Sequence, residues 1–304
     1  MAASQQALVG ESRAREAFAT ISSAALRPLH VLVVAPSILF LATLGLMLFH
    51  APDGPAFVYD RLALTILIVI VFLRACVLQR QLWVGGSVIW PLFALLLLAL
   101  HDGLGQPYSA EIWSVFAAKW FVPIALYVAA THIFRSEIEL HQFETFALLA
   151  FAYLSLTSIF FMIGFKALIF PRFILDDGLG IHADRARGPF LQAVANGLAI
   201  NLLGLLVLNS FRRGRLRGIW ALLVMIALPL AILATKTRAV WLSFGVSIIA
   251  VVLLSPSHRL RRACLTILVS CAVAVAAVVS LPDHHRWLGE RLQENGPVEF
   301  RMIP

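Results

Sequence analysis

The chain has 304 residues, of which 61% are hydrophobic and only 13% charged, with a mean hydropathy of +0.89. A soluble domain carries about 25% charged residues; an ordinary cytosolic enzyme, a disordered chain and a secreted disulfide scaffold are therefore excluded, which leaves a polytopic membrane protein. Lysine and arginine number 24 against 16 acidic residues, a formal charge of +8, but the arginines lie between apolar runs rather than in one patch, so no nucleic-acid partner is expected.

Residues 1–28 are polar and read as a cytoplasmic N-terminal segment. The apolar run after them is too long for a signal-peptide core and reads as a retained signal-anchor helix. Spans are expected at 29–49, 62–78, 83–100, 112–133, 146–170, 189–209, 219–235, 239–254 and 263–281, each near the ~20 residues that a bilayer requires. The expected fold class is all-α, a polytopic transmembrane helical bundle of about nine spans over 29–281. Residues 282–304 read as the start of a periplasmic region, cut short. Pro36, Pro91, Pro123 and Pro229 fall inside the runs, where prolines kink helices whose freed carbonyls find other partners. Cys76, Cys264 and Cys271 lie in or beside apolar runs and read as small packing residues.

A cytoplasmic N-terminus puts the two densest basic loops inside, as the positive-inside rule asks. These are 210–218, with Arg212, Arg213, Arg215 and Arg217, and 255–262, with Arg259, Arg261 and Arg262. The residues that resist the rule are the informative ones. The outer loop before the sixth run reads His182-Ala-Asp184-Arg185-Ala-Arg187-Gly188-Pro189, and the hairpin after the seventh reads Thr235-Lys236-Thr237-Arg238. A basic residue at the membrane centre costs roughly 2.5–3.5 kcal/mol, less near the interface. One such cation is as well explained by snorkelling to lipid phosphates. Four in neighbouring outer turns imply an anionic partner, and the planar fork of arginine suits phosphate. Pro189 is expected to open the sixth span, so that the positive end of that helix faces the same anion. Asn196 and Asn201 within that span read as interhelical hydrogen-bonding groups. Lys119, about two turns from the outer end of the fourth span, could line a cavity beside the arginines; Lys166, near the outer end of the fifth, reads as snorkelling.

At these residues the sequence resembles the O-antigen ligase/polymerase family of bacterial envelope membrane glycosyltransferases. The likeness rests on Arg-x-Arg-Gly-Pro-Phe at 185–190, on Thr-x-Thr-Arg at 235–238 and on Glu299-Phe300-Arg301. Thr237 stands where the family usually has Ser, and Ala239 where it has Gly. The resemblance implies a multi-pass protein of the bacterial inner membrane. Its substrate would be a glycan linked through pyrophosphate to undecaprenol, transferred at the periplasmic face to an acceptor hydroxyl on a lipid or glycan. It further implies Arg185, Arg187 and Arg238 as a clamp on the pyrophosphate, with Lys236 and Arg301 as additional ligands; Lys119 joins them from its depth in the fourth span, not from the resemblance. No Asp-x-Asp motif is present, so no metal and no cofactor is expected and fixed cations would neutralise the leaving group. The family's acceptor-activating histidine lies in a late periplasmic loop, and the chain stops about where that loop should begin. His182, His284 and His285 are outer-face histidines away from that position. The catalytic residue is left unassigned, with His182 carried as the candidate. Grouping His182 with Asp176, Asp177 and Asp184 as a metal site matches no ligand spacing.

Two other readings compete. Buried charges and kinked helices also serve a transporter or flippase-like protein, although no internal repeat is visible and the cations gather on one face. The short C-terminal region also fits a non-catalytic membrane partner in polysaccharide export.

Overall fold

The computed structural model describes residues 36–49, 56–77, 89–105 and 109–280. Among them the chain is all-helical, with no strand. Three stretches, Trp113–Ile133, Glu137–Met162 and Ala193–Arg212, are long and apolar enough to cross a membrane. Pro36–Phe49, Ile89–His101, Gly218–Ala234 and Arg238–Leu254 are apolar and shorter. The chain divides into two compact units, Met1–Phe143 and Glu144–Pro304.

The first unit contains α1 (Pro36–Phe49), α2 (Ala56–Val77), α3 (Ile89–Leu104), α4 (Ala110–Phe116) and α5 (Val122–Ile133). Phe40 of α1, Leu67 and Val71 of α2, and Ala129 and Ile133 of α5 form its buried cluster, closed by an edge-on Phe40–Phe134 contact at 5.1 Å. α4 runs into α5 through a π-helical turn, Ala117–Phe121. Proline explains that turn. Pro123 offers no N–H to the carbonyl four residues earlier, at Lys119, and its ring crowds that oxygen, so the backbone widens there instead of breaking.

α6 (Glu137–Met162) crosses the boundary between the units. It starts nine residues before the expected 146 and ends at Met162, not at 170. Its start is a capping box: the Glu139 amide donates to Ser136 Oγ at 3.2 Å, and Glu139 Oε2 accepts the Ser136 amide at 2.9 Å and the Arg135 amide at 3.1 Å, satisfying amides that no helical turn can reach. Its end is set by Gly164, at φ +82, a conformation glycine adopts without strain. Lys166 therefore lies in a 3-10 turn, Lys166–Leu168, beyond the helix.

The second unit continues with α7 (Ala193–Arg212), α8 (Gly218–Ala234), α9 (Arg238–Leu254) and α10 (His258–Ser280). The short connections make consecutive helices antiparallel, and the four pack together. Glycines allow close approach. A Cβ on Gly197 would come within 2.5 Å of a Val240 methyl, and one on Gly204 within 2.6 Å of Leu228 Cδ1. The interior is largely apolar, with Ile200, Leu228 and Ile248 fully buried, but the exterior is unlike that of a soluble bundle. Asn196, Asn201, Ser155 and Ser158 are buried, whereas Leu202, Trp220, Leu242 and Leu253 are each more than 60% exposed. An apolar exterior around a core that also buries asparagine and serine fits lipid as the solvent. As expected, the two asparagines join helices: Asn196 Nδ2 donates to Ser158 Oγ on α6 at 3.0 Å, and Asn201 Nδ2 to Ser247 Oγ on α9 at 3.3 Å.

Gly197→Val should therefore lower the thermal midpoint in detergent, by overpacking worth about 1–3 kcal/mol. Gly245→Ala, whose Cβ meets nothing within 4 Å, should leave it unchanged or slightly raised. Equal midpoints for the two variants would contradict the close α7–α9 packing.

Candidate functional site

The turn 235–238 and the loop 163–192 lie at one end of the second unit, tied by backbone. The Ala186 amide donates to the Ala234 carbonyl at 3.2 Å, and the Ala186 carbonyl accepts Asn196 Nδ2 at 2.9 Å. Ala186, between Arg185 and Arg187, is thus held on one side by the end of α8 and on the other by the first turns of α7. Gly188 is required for this approach, since a Cβ there would lie 2.4 Å from Asn196 Oδ1, and its φ is +55. The loop closes on itself where the Ile181 amide donates to the Leu191 carbonyl at 3.2 Å.

Pro189 does not open α7. It lies in a 3-10 turn, Gly188–Phe190, after which Leu191 adopts φ 54 and Gln192 turns extended. The left-handed Leu191 redirects the chain, so the helix begins at Ala193, several residues beyond the arginines. The expected alignment of that helix end with Arg185 and Arg187 is not formed by Pro189.

The two arginines of the motif differ sharply. Arg187 is 1% exposed and is the largest fully buried side chain among the described residues. Its Nη1 donates to the Leu179 carbonyl, and its Nη2 to the carbonyls of Ile174 at 3.1 Å and Asp176 at 2.5 Å. Carbonyl dipoles offset the burial of a charge that would otherwise be very costly. The guanidinium expected on the pyrophosphate is thus spent on the loop, tying 174–179 to 187. Arg185 is held more loosely. Its side chain is 14% exposed, its Nε lies 3.9 Å from Asp184 Oδ1, and that Nε is buried without a hydrogen-bond partner.

Across the backbone link, the 235–238 turn holds its cations in locally unfavourable places. Lys236 has φ 51, a left-handed conformation that costs a side-chain-bearing residue about 1 kcal/mol or more. Arg238 is the first residue of α9 and is exposed, a cation at the positive end of a helix dipole, where charge of that sign is disfavoured. The turn itself is well built. The hydroxyl of Thr235 donates to the Ile232 carbonyl at 2.7 Å, that of Thr237 to the Thr235 carbonyl at 2.9 Å, and Trp241 Nε1 to the Ile232 carbonyl at 3.1 Å. The Thr237 carbonyl accepts the amides of Val240 and Trp241, both at 3.1 Å. An anion at this end would offset the charge of Arg238 at the positive end of the α9 dipole.

His182 is exposed on the same loop, at φ 57, and its carbonyl accepts the Arg185 amide at 3.1 Å. It does not converge with Asp176, Asp177 and Asp184; among the described residues no three His, Cys, Asp or Glu side chains could hold a metal ion together. Lys119 belongs to the first unit, exposed on the π-helical turn. Arg301, His284 and His285 lie outside the described residues. Sequence reasoning singled out the cations but not the groups that arrange them. Asn196 reads from the sequence as a helix–helix contact alone, and Gly188 only as the residue before Pro189; Gly180, at the other end of the loop, is the missed signal, since paired glycines around a charged segment mark a tight loop. Comparison with protein-family models, with curated proteins and with solved structures finds no match.

Arg187→Ala should leave at least three carbonyls without their donor, each worth about 1–3 kcal/mol. The expected result is a loop over 172–190 that is cleaved readily in limited proteolysis, with a lowered thermal midpoint. Arg187→Lys should rescue little, since an ammonium lacks the planar fork. Arg185→Ala should cost about 1 kcal/mol or less. Equal protease resistance of wild type and Arg187→Ala would contradict the architectural role.

Proposed function

We propose that this protein is an O-antigen ligase/polymerase-like membrane protein of the bacterial inner membrane, with about nine spans and a cytoplasmic N-terminus. On this reading it transfers an undecaprenyl-pyrophosphate-linked glycan to an acceptor hydroxyl at the periplasmic face. The observation that carries the reading is the Ala186–Ala234 hydrogen bond, which joins the two cationic motifs that the sequence separates by about fifty residues. Snorkelling to lipid phosphates requires no such link, and neither do scattered topology signals.

The chemistry asks for cations where the leaving group gathers charge. The acceptor oxygen attacks the anomeric carbon, the bond from that carbon to the phosphate oxygen breaks, and the pyrophosphate leaves with the electron pair. Arg185, Lys236 and Arg238 are the groups suited to receive it, because arginine and lysine donors held in place lose little on meeting the charge. Arg187 keeps the loop in shape and so positions Arg185. The proton of the acceptor hydroxyl needs a base, and His182, exposed on the same loop, is the group nearest in sequence to that task.

Arg185→Ala and Arg238→Ala should leave expression and membrane insertion intact, while lipid-linked glycan accumulates and surface polysaccharide is lost. Loss of one fixed donor to a developing oxyanion is worth on the order of 100-fold or more in rate. Normal surface polysaccharide in both variants would contradict the clamp. A transporter would instead accumulate lipid-linked glycan on the cytoplasmic side, which a periplasmic glycosidase added to spheroplasts distinguishes.

A further inference from the structure

At the other end of the second unit lies a cavity of about 570 Å³, between the α7–α8 connection and the start of α10. Arg217, Arg259 and Arg262 line it, with Phe211, Leu216 and Met225 forming apolar wall. The surrounding basic residues divide into two sets. Arg213 and Arg215 share the carboxylate of Glu144, the former at 3.3 Å. Arg217, Arg259 and Arg262 pair with no carboxylate among the described residues, and no acidic residue occurs in 209–218 or 255–280. Arg217 is also pre-set, since its Nε donates to the Gly214 carbonyl at 2.6 Å across a turn where Gly214 has φ +74. Thr266 offers a hydroxyl on the same wall.

Three uncompensated guanidinium groups over an apolar floor match one chemistry: an anionic headgroup with hydrocarbon attached. The outer surface beside the cavity is apolar, with Ile219 and Trp220 of α8 and Leu265 and Val269 of α10 all exposed, which gives acyl chains a surface to follow. Basic pockets between membrane helices hold phosphate headgroups in this way. We propose that this cavity is a binding site for an anionic phospholipid, its phosphate held by Arg217, Arg259 and Arg262. The site is independent of the glycan-transfer reading, because it uses none of the residues at the Arg185–Arg238 end.

The test is binding of fluorescent phosphatidylglycerol and cardiolipin to the full chain in phosphatidylcholine nanodiscs. Each arginine near an anionic headgroup is worth roughly fivefold in affinity, so the double variant Arg259→Gln/Arg262→Gln should bind roughly 25-fold more weakly. Arg261→Gln, which removes one positive charge at an exposed residue outside the lining, should bind as wild type. Thr266→Phe, which fills the cavity without changing charge, should also weaken binding. Equal loss with Arg261→Gln would reduce the effect to general surface attraction and overturn the site. Unchanged binding by Thr266→Phe together with the double variant would do the same. Displacement of the lipid by millimolar inorganic phosphate would assign the arginines to a soluble anion and overturn the lipid assignment. Size-exclusion profiles in detergent confirm that each variant is folded.

Discussion

The arrangement at the cationic end depends on one short backbone segment being held from both sides. Ala186 gives its amide to Ala234 and its carbonyl to Asn196, while the next residue, Arg187, gathers carbonyls from 174, 176 and 179 around its buried guanidinium. Each of these groups is polar and each is taken from solvent, so losing one partner leaves another unpaired. A network of this kind fixes geometry more than it adds stability. Its consequence is that Arg185 and the Lys236–Arg238 turn share one end of the second unit, held by bonds that do not involve their own charges.

That division of labour explains why two arginines in one motif have unlike surroundings. A buried arginine must find its partners within its own protein, and carbonyls take up both Nη groups of Arg187 without cancelling its role as a rigid hub. A partly exposed arginine with a loose carboxylate neighbour remains able to meet a ligand. The left-handed Lys236 closes the end of α8, its amide donating to the Leu233 carbonyl at 3.0 Å, and Arg238 follows as a cation at the start of α9. The opposite end follows the same logic in another form. There Arg213 and Arg215 share the carboxylate of Glu144, and the three cavity arginines have no carboxylate partner among the described residues.

Helix content and the apolar runs were legible because membrane helices announce themselves by composition over some twenty residues. Boundaries were legible only where local chemistry marked them. Ser136 and Glu139 spell a capping box, yet the charged residues after them suggested a loop and hid nine residues of α6. The apolar stretch after Met162 suggested continued helix, but Gly164 turns the chain away. Pro189 carried the signature of a helix start, and the left-handed Leu191, which no composition rule foresees, moved that start to Ala193. The cations could be picked from the sequence because they oppose the topology rule. The burial of Arg187 could not, because three of its partners are main-chain carbonyls and carry no sequence signature.

The central claim is that the loop at 182–190 and the turn at 235–238 face the same, outer side as one cationic surface. Its most direct measurement is site-directed labelling with a membrane-impermeant maleimide, in a chain whose Cys76, Cys264 and Cys271 are replaced by alanine. Asp184→Cys and Arg238→Cys, both at exposed positions, should label in intact cells with a permeabilised outer membrane, whereas Arg261→Cys should label only after the inner membrane is opened. Labelling of Asp184→Cys and Arg238→Cys from opposite sides, or of both only from the cytosol, would contradict the account.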